Sequence, residues 1–300
     1  MKTLIIYTST HSGNTEKVAK AIAEELSADL VRASELKNYD VKEYDLIGLG
    51  SGIYMGKHHI SILDIAGKLK NVENKRFFIF STSGIKELSF NNFNKDLKEV
   101  ILKRSVRLID SFNCRGYSNY GLTKLFGGIN KNRPNEQDLE KAKEFAKTLK
   151  PKPLTLCLTL DGDRILLGMK KRGFGEGRWN GFGGKLELGE TLIEGAKREM
   201  LEESGLHAEG LEEIGSIEFD FLDNNKFLNV HFFNVLKYSG EPIETEEMKP
   251  EWFNVNDIPF DKMWPDDQLW IPLYLEKKKF LGKILFRNVN EIISDDIKII

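Results

Sequence analysis

The hydrophobic rhythm of this chain changes at one place, "LKPKPL" at residues 149–154, and that break constrains its folding more than any other feature. A lysine-rich helical pattern ends there, and two prolines force the adjoining backbone to be extended. One core is not expected to run through such a break, and 300 residues is long for a single core. Two domains are therefore expected, 1–150 and 151–300.

Before the break, short apolar runs alternate with amphipathic helical stretches. "TLIIYTS" precedes "TEKVAKAIAEEL", "YDLIGLGSG" precedes "HHISILDIAGKL", and "RFFIFSTSG" precedes "NNFNKDLKEVILKR". "VRLIDSFNCRG" then precedes "NEQDLEKAKEFAKTLK", and "ADLVRAS" supplies one more strand. Five strands and at least four helices in this order predict an α/β domain with a doubly wound parallel sheet. Its ligands are expected beyond the carboxyl ends of the strands. After the break, "LTLCLTLDGDRILLGMKK" reads as two strands joined by the turn "DGD". A glycine-rich loop, a highly charged helix, further strands, a helix near 266–278 and a short strand "KILFR" complete the chain. This order predicts a mixed sheet between helices.

The formal charge of −2 conceals an asymmetry between the halves. Residues 1–150 carry 25 Lys and Arg against 18 Asp and Glu, a net +7, and the remainder carries 19 against 28, a net −9. No basic tract with interleaved aromatics accompanies the positive half, so direct nucleic-acid binding is not expected. No apolar run approaches the ~18 residues of a membrane span. "MKTLIIYTST" lacks a signal-peptide cleavage pattern, and Cys114 and Cys157 stand far apart, which predicts a reducing, cytoplasmic setting.

At the first strand's end, "TSTHSGNTEKVAK" is a hydroxyl-rich turn running into a helix. Backbone N–H groups at that helix start, with the hydroxyls of Ser9, Thr10, Ser12 and Thr15, suit a phosphate dianion without a lysine. With the five-strand pattern and the pieces "GLGSGIYMGKHH", "STSG" and "CRGYSNYG", residues 1–149 resemble the flavodoxin family. That resemblance implies a bound FMN and a redox partner. Its phosphate contacts map to Ser9, Thr10, Ser12, Gly13, Asn14 and Thr15. Its flavin-facing loops map to Ser51, Gly52, Ile53, Tyr54, Ser83, Gly84 and Cys114. Cys114 itself reads as a small buried residue rather than a redox thiol. The positive charge of this half argues against docking to basic redox partners.

In the second half, "GGKLELGETLIEGAKREMLEESGL" places Glu199, Glu202 and Glu203 at i, i+3 and i+4, hence on one helix face. Mutual repulsion of three carboxylates is offset by a divalent cation, and Mg²⁺ or Mn²⁺ prefers such oxygen ligands. Arg198 suits a fork-like pair with a carboxylate. The spacing of Gly184, Glu190, Arg198, Glu199, Glu202, Glu203, Gly205 and Leu206 matches the Nudix box, so this half resembles a Nudix hydrolase. The resemblance implies an α/β/α sandwich with a mixed sheet and a small-molecule nucleotide substrate. It also implies catalytic roles for Arg198, Glu199, Glu202 and Glu203.

"LLGMKKRGFGEGRWNGFGGK", "EMKPEWF" and "MWPDDQLWIPLYLEKKKF" extend the likeness to the oxidised purine nucleoside triphosphate hydrolase (8-oxo-dGTP diphosphatase) subfamily, from about Leu154 to Phe286. From it come metal positions at Gly183, Glu199, Glu202, Glu203 and Glu247. A base pocket is implied at Thr155, Phe174, Asn180, Phe219, Trp264, Asp266 and Asp267, with Lys170 and Lys185 near the phosphates and Phe182, Gly183 and Gly184 on the substrate loop. Leu228 stands where the subfamily has a pocket methionine. The expected activity is Mg²⁺-dependent hydrolysis of an oxidised purine triphosphate, serving nucleotide-pool sanitation. The alternative is an FMN electron carrier or small reductase with an accessory second half. Two adjacent carboxyls in an apolar wall will not both ionise readily, so Asp266 and Asp267 are expected to share a proton.

Overall fold

Strands built from "TLIIYT" or "RFFIFSTS" offer no polar face and need cover on both sides. A computed structural model of the protein, describing residues 1–85, 92–120, 124, 125 and 127–300, supplies that cover. The chain divides into two units, Met1–Lys150 and Pro151–Ile300.

The strands of the first unit are β1 (Thr3–Thr8), β2 (Asp29–Arg32), β3 (Leu46–Tyr54), β4 (Lys57–His58), β5 (Arg76–Ser83) and β6 (Arg107–Arg115). The sheet order is β2-β1-β3-β5-β6 with every neighbouring pair parallel, while β4 folds back antiparallel on the end of β3. Helices α1 (Asn14–Leu26) and α4 (Glu136–Thr148) pack against Ile5, Tyr7, Phe78 and Phe80 on one face. Helices α2 (Ile60–Lys68) and α3 (Lys95–Leu102) cover Leu4, Ile6, Ile47, Phe77 and Ile79 on the other. The five expected parallel strands and the expected helices are present. Asn91, at the start of the third helical stretch, and Gly121, at the end of "CRGYSNYG", lie outside the described residues.

The second unit runs β7 (Lys152–Asp161), β8 (Arg164–Lys170), β9 (Trp179–Asn180), α5 (Leu192–Ser204), β10 (His207–Phe221), β11 (Phe227–Ser239) and β12 (Met248–Asn254). Helix α6 (Asp267–Leu275) and the hairpin of β13 (Phe280–Asn288) and β14 (Glu291–Ile299) complete it. Its mixed sheet has the order β12-β8-β7-β11-β10-β13-β14, with β9 beside β8. Alternation along β7 sorts the core: Leu156 and Leu158 face Trp270, Ile271 and Tyr274 of α6, whereas Cys157 faces Ala196 and Met200 of α5. Helix, sheet and helix form the expected sandwich.

The turn expected between β7 and β8 is present, with Gly162 in the left-handed region at φ 63°. Helix α5 starts on a capping box in which Thr191 and Glu194 satisfy each other's backbone N–H. The edge strand β14 was not expected. Its sequence "EIISDDIKI" is half-exposed or exposed at every position and carries two aspartates, so neither burial pattern nor propensity marks it as a strand. Among the described residues no helix is long and apolar enough to cross a membrane.

Candidate active site

Helix α5 brings its carboxylates to the loop before it through one arginine. Arg198 grips Glu190 with two bonds, Nε to Oε1 at 2.7 Å and a terminal nitrogen to Oε2 at 2.9 Å. It also donates to Glu199 at 2.9 Å, Glu202 at 3.1 Å and the Lys185 carbonyl at 2.9 Å. The guanidinium holds the Glu190 carboxyl down at about 2. Arg198 is thus occupied in tying loop to helix, as a fork-like pair allows. Gly184 lets the two approach: a Cβ there would lie 2.6 Å from the Glu199 carboxylate. A Cβ on Gly183 would fall 2.0 Å from the Thr155 carbonyl oxygen, so only glycine fits beside β7.

Glu203 is 2% exposed and has both oxygens engaged. Oε2 accepts the Gly183 N–H at 2.9 Å, and Oε1 accepts the Lys170 ammonium at 2.7 Å. That ammonium also reaches Glu247 at 3.3 Å, and Arg172 takes the other Glu247 oxygen at 2.8 Å. Burial pushes the Glu199 and Glu203 carboxyls above the usual range, opposed by Arg198 and Lys170 respectively. Among the described residues no three His, Cys, Asp or Glu side chains stand together in ligating geometry. Of the five expected metal residues, Glu199 and Glu202 bond Arg198, Glu203 and Glu247 bond Lys170, and Gly183 donates its N–H to Glu203.

A cleft of about 160 Å³ opens beside this acidic group. Of the expected substrate residues, Thr155, Lys170, Phe174, Asn180, Gly183, Phe219, Trp264, Asp266 and Asp267 line it. The Phe174 and Trp264 rings lie 5.0 Å apart at its wall, with Phe221 edge-on to both. Asn180 Oδ1 accepts the Gly181 N–H at 2.8 Å, and the Thr155 hydroxyl is buried with no partner among the described residues. Asp266 accepts the Trp270 indole N–H at 3.0 Å, while Asp267 accepts the Trp264 backbone N–H at 2.9 Å. Burial raises Asp266 to about 6, and burial plus the charge of Asp266 raises Asp267 well above the carboxylate range.

Three expected substrate residues lie elsewhere. Phe182 is fully buried in the core on the α5 face, because its backbone pairs with Cys157 and its side chain follows that residue's side of the sheet. Gly184 and Lys185 sit one step along the loop, where their backbone meets Thr155, Leu154 and Arg198. Sequence reasoning missed Arg178, Phe221, Val230, Phe232, Met248 and Trp270 in the lining. Leu228, Val230 and Phe232 alternate along β11, a signal that could have found them. Arg178 had no such signal: it stacks over Trp264 at 4.6 Å and donates to Met263 and Val289, both distant in sequence.

In the first unit, Ser12 and Gly13 adopt left-handed backbone at φ 53° and 66° and lead into α1, whose start has no side-chain cap. The Ser9 hydroxyl is buried without a partner among the described residues. Thr10 bonds Tyr54 at 2.5 Å and His11 at 2.9 Å. Other expected contacts are already engaged. Asn14 donates to the Tyr117 carbonyl at 2.7 Å, and the buried Thr15 hydroxyl pairs with Thr82 at 2.8 Å. The Ser51 hydroxyl accepts the His59 N–H and meets His58 Nδ1, both at 2.9 Å, and so fixes the β3–β4 hairpin. Gly52, Ile53 and Tyr54 end β3. Ser83 turns back to the Ile85 carbonyl, and the Gly84 carbonyl accepts from Asn130. Cys114 belongs to the core beneath α1 and α4, where burial pushes its thiol up to about 12, so it is not a reactive thiol.

Known proteins bear on both units. A NUDIX domain model matches residues 150–274 and a flavodoxin domain model matches residues 4–151. The oxidized purine nucleoside triphosphate hydrolase of Danio rerio is 52% identical over 143 residues, covering 48% of this chain and 92% of that protein. The chain belongs to the Nudix hydrolase family. The mouse (Mus musculus) oxidized purine nucleoside triphosphate hydrolase is 51% identical over 144 residues, covering 48% of this chain and 92% of its own length. An uncharacterised protein of Methanocaldococcus jannaschii is 49% identical over 149 residues, 50% of this chain and 98% of that one. This Nudix hydrolase is therefore a fusion with a flavodoxin-family domain.

Proposed function

We propose that the Nudix domain hydrolyses oxidised purine nucleoside triphosphates, such as 8-oxo-dGTP or 2-hydroxy-dATP, to the monophosphate and pyrophosphate. The observation that carries this reading is the buried pair Asp266 and Asp267 in an aromatic cleft that Lys170 shares with the acidic helix. Phe174 and Trp264 stack on a purine, worth ~1–3 kcal/mol per contact by analogy with single-strand binding. With one proton between them, the two carboxyls offer a donor beside an acceptor, and moving that proton suits different oxidised bases. The Asn180 amide N–H₂, which has no protein partner among the described residues, donates to the base edge.

The donor set fits Mg²⁺ or Mn²⁺: it is all oxygen, and Lys170 already brings a cation between Glu203 and Glu247. Gly183, Glu199, Glu202, Glu203 and Glu247 hold the ion in this reading. When bound, it supplies charge neutralisation at phosphate oxygens and a water of lowered pKa. Lys185 faces the phosphates, and Arg198 keeps the Glu190 loop seated on α5. The free, buried Cys114 and Cys157 suit a reducing, cytoplasmic setting in which damaged nucleotides are removed before polymerisation.

The flavodoxin domain binds FMN in the same proposal. The orphan Ser9 hydroxyl and the uncapped start of α1 fit a phosphate, with Ser12, Gly13 and the backbone around Thr10 as its cradle. The experiment uses purified full-length protein whose flavin absorbance has been recorded. It is assayed against oxidised and unmodified triphosphates, with Glu202→Gln alongside. Oxidised purines should be cleaved with release of pyrophosphate, and the variant should lose activity by about 10²–10⁴-fold. An inert panel contradicts the hydrolase reading, and colourless protein that takes up no FMN contradicts the flavin reading.

A further inference from the structure

Glu203 is the most buried carboxylate of the acidic helix, with its side chain 3% exposed, and an uncompensated charge there is costly. The structure compensates it with Lys170, whose ammonium stands 2.7 Å from Glu203 and 3.3 Å from Glu247. One lysine thus joins two carboxylates from separate elements, the role that the proposed function gives to a divalent cation. The other Glu203 oxygen accepts the Gly183 N–H at 2.9 Å. A cation arriving at Oε1 therefore competes with Lys170 for that oxygen and meets the repulsion of its ammonium.

Lys170 and Arg198, the two basic residues that touch the helix carboxylates, differ in how firmly they are held. Arg198 forks onto Glu190 and binds three further oxygens, a planar grip that resists exchange. Lys170 is a point charge on a flexible stem, and its side chain also lines the base cleft. Once released, its ammonium would face the cleft assigned above to the nucleotide.

We propose that Lys170 is an exchangeable counter-ion: it holds Glu203 and Glu247 until a divalent cation displaces it, and then turns to the nucleotide's phosphates. This rests on the metal-dependent reading above. It makes Lys170 a positioning residue that couples the two binding events. Metal frees the ammonium for phosphate, so each ligand tightens the other by the same factor.

The test is Mn²⁺ binding to the full-length protein, read by the EPR signal of free Mn²⁺, with and without a non-hydrolysable purine triphosphate. Lys170→Met keeps the stem and removes the charge. Without nucleotide it should bind Mn²⁺ more tightly than wild type by about five-fold or more, the lower end of ordinary coupling energies. Nucleotide should then tighten Mn²⁺ less than it does in wild type. Lys170→Arg, which grips carboxylates better, should bind Mn²⁺ more weakly, and it carries the test if Lys170→Met does not fold. A purely structural role predicts weaker or unchanged Mn²⁺ binding in Lys170→Met, and that result overturns the proposal while leaving the hydrolase reading intact. If neither wild type nor variant binds Mn²⁺ under any condition, the metal-dependent reading fails and this inference with it.

Discussion

The two candidate sites would hold their proposed phosphate-bearing ligands in opposite ways. The Nudix cleft relies on side chains set by burial and packing: Asp266 raised to about 6, Glu203 enclosed, and aromatic rings tilted against one another at the wall. The flavodoxin loop relies on backbone. Its turn uses left-handed Ser12 and Gly13, its helix start is uncapped, and several nearby hydroxyls and amides already serve the fold. Each site is therefore vulnerable in its own way. A single side-chain change should cripple the first, whereas the second should tolerate such changes and suffer only from loss of an unpartnered group.

The largest contrast is expected from Trp264→Ala. It removes a stacking face and the partner of Arg178, and ~1–3 kcal/mol of stacking corresponds to a rise in KM of roughly 5–150-fold for the oxidised triphosphate. Steady-state kinetics check this, and an unchanged KM would remove Trp264 from the base wall.

A smaller effect concerns pH. Asp266 has a folded-state pKa of about 6 against an ordinary value of 3.8, so between these values the folded protein binds more protons than the unfolded chain. Stability from this group is therefore full below about 3.8 and falls as pH rises through about 6. Asp266→Asn should flatten that decline in thermal melts taken across the same window. Parallel curves for variant and wild type would show that Asp266 does not titrate there.

The smallest effect is predicted in the first unit. Ser9→Ala deletes one of several hydrogen bonds to the proposed phosphate, worth about 1 kcal/mol net, and should weaken FMN by roughly five-fold while the backbone cradle remains. FMN fluorescence titration measures it. A loss as large as that expected from Trp264→Ala would mean that the two sites are built alike.

The same difference governs how much of the molecule was legible in the sequence. The acidic helix could be read because Glu199, Glu202 and Glu203 share a face by local geometry. The parallel sheet could be read because its strands have no polar side. Phe182 was misplaced because it stands two residues from Asn180, yet its pairing with Cys157 directs it to the core on the α5 face. The hydroxyl partner of Ser51 was not legible, because His58, which bonds it, is itself fixed by Asn94 from a distant part of the chain. Strand β14 escaped because an exposed edge leaves no hydrophobic period. Local geometry speaks in sequence; partners supplied across the fold do not.

The central claim is that the Asp266–Asp267 pair selects oxidised bases through a shared proton. Its most direct test is the ratio of kcat/KM for an oxidised over an unmodified purine triphosphate at pH 7, in wild type and in Asp267→Asn. The account predicts a strong preference for the oxidised base in wild type and a collapse of that ratio in the variant. An equal ratio in both proteins would contradict it.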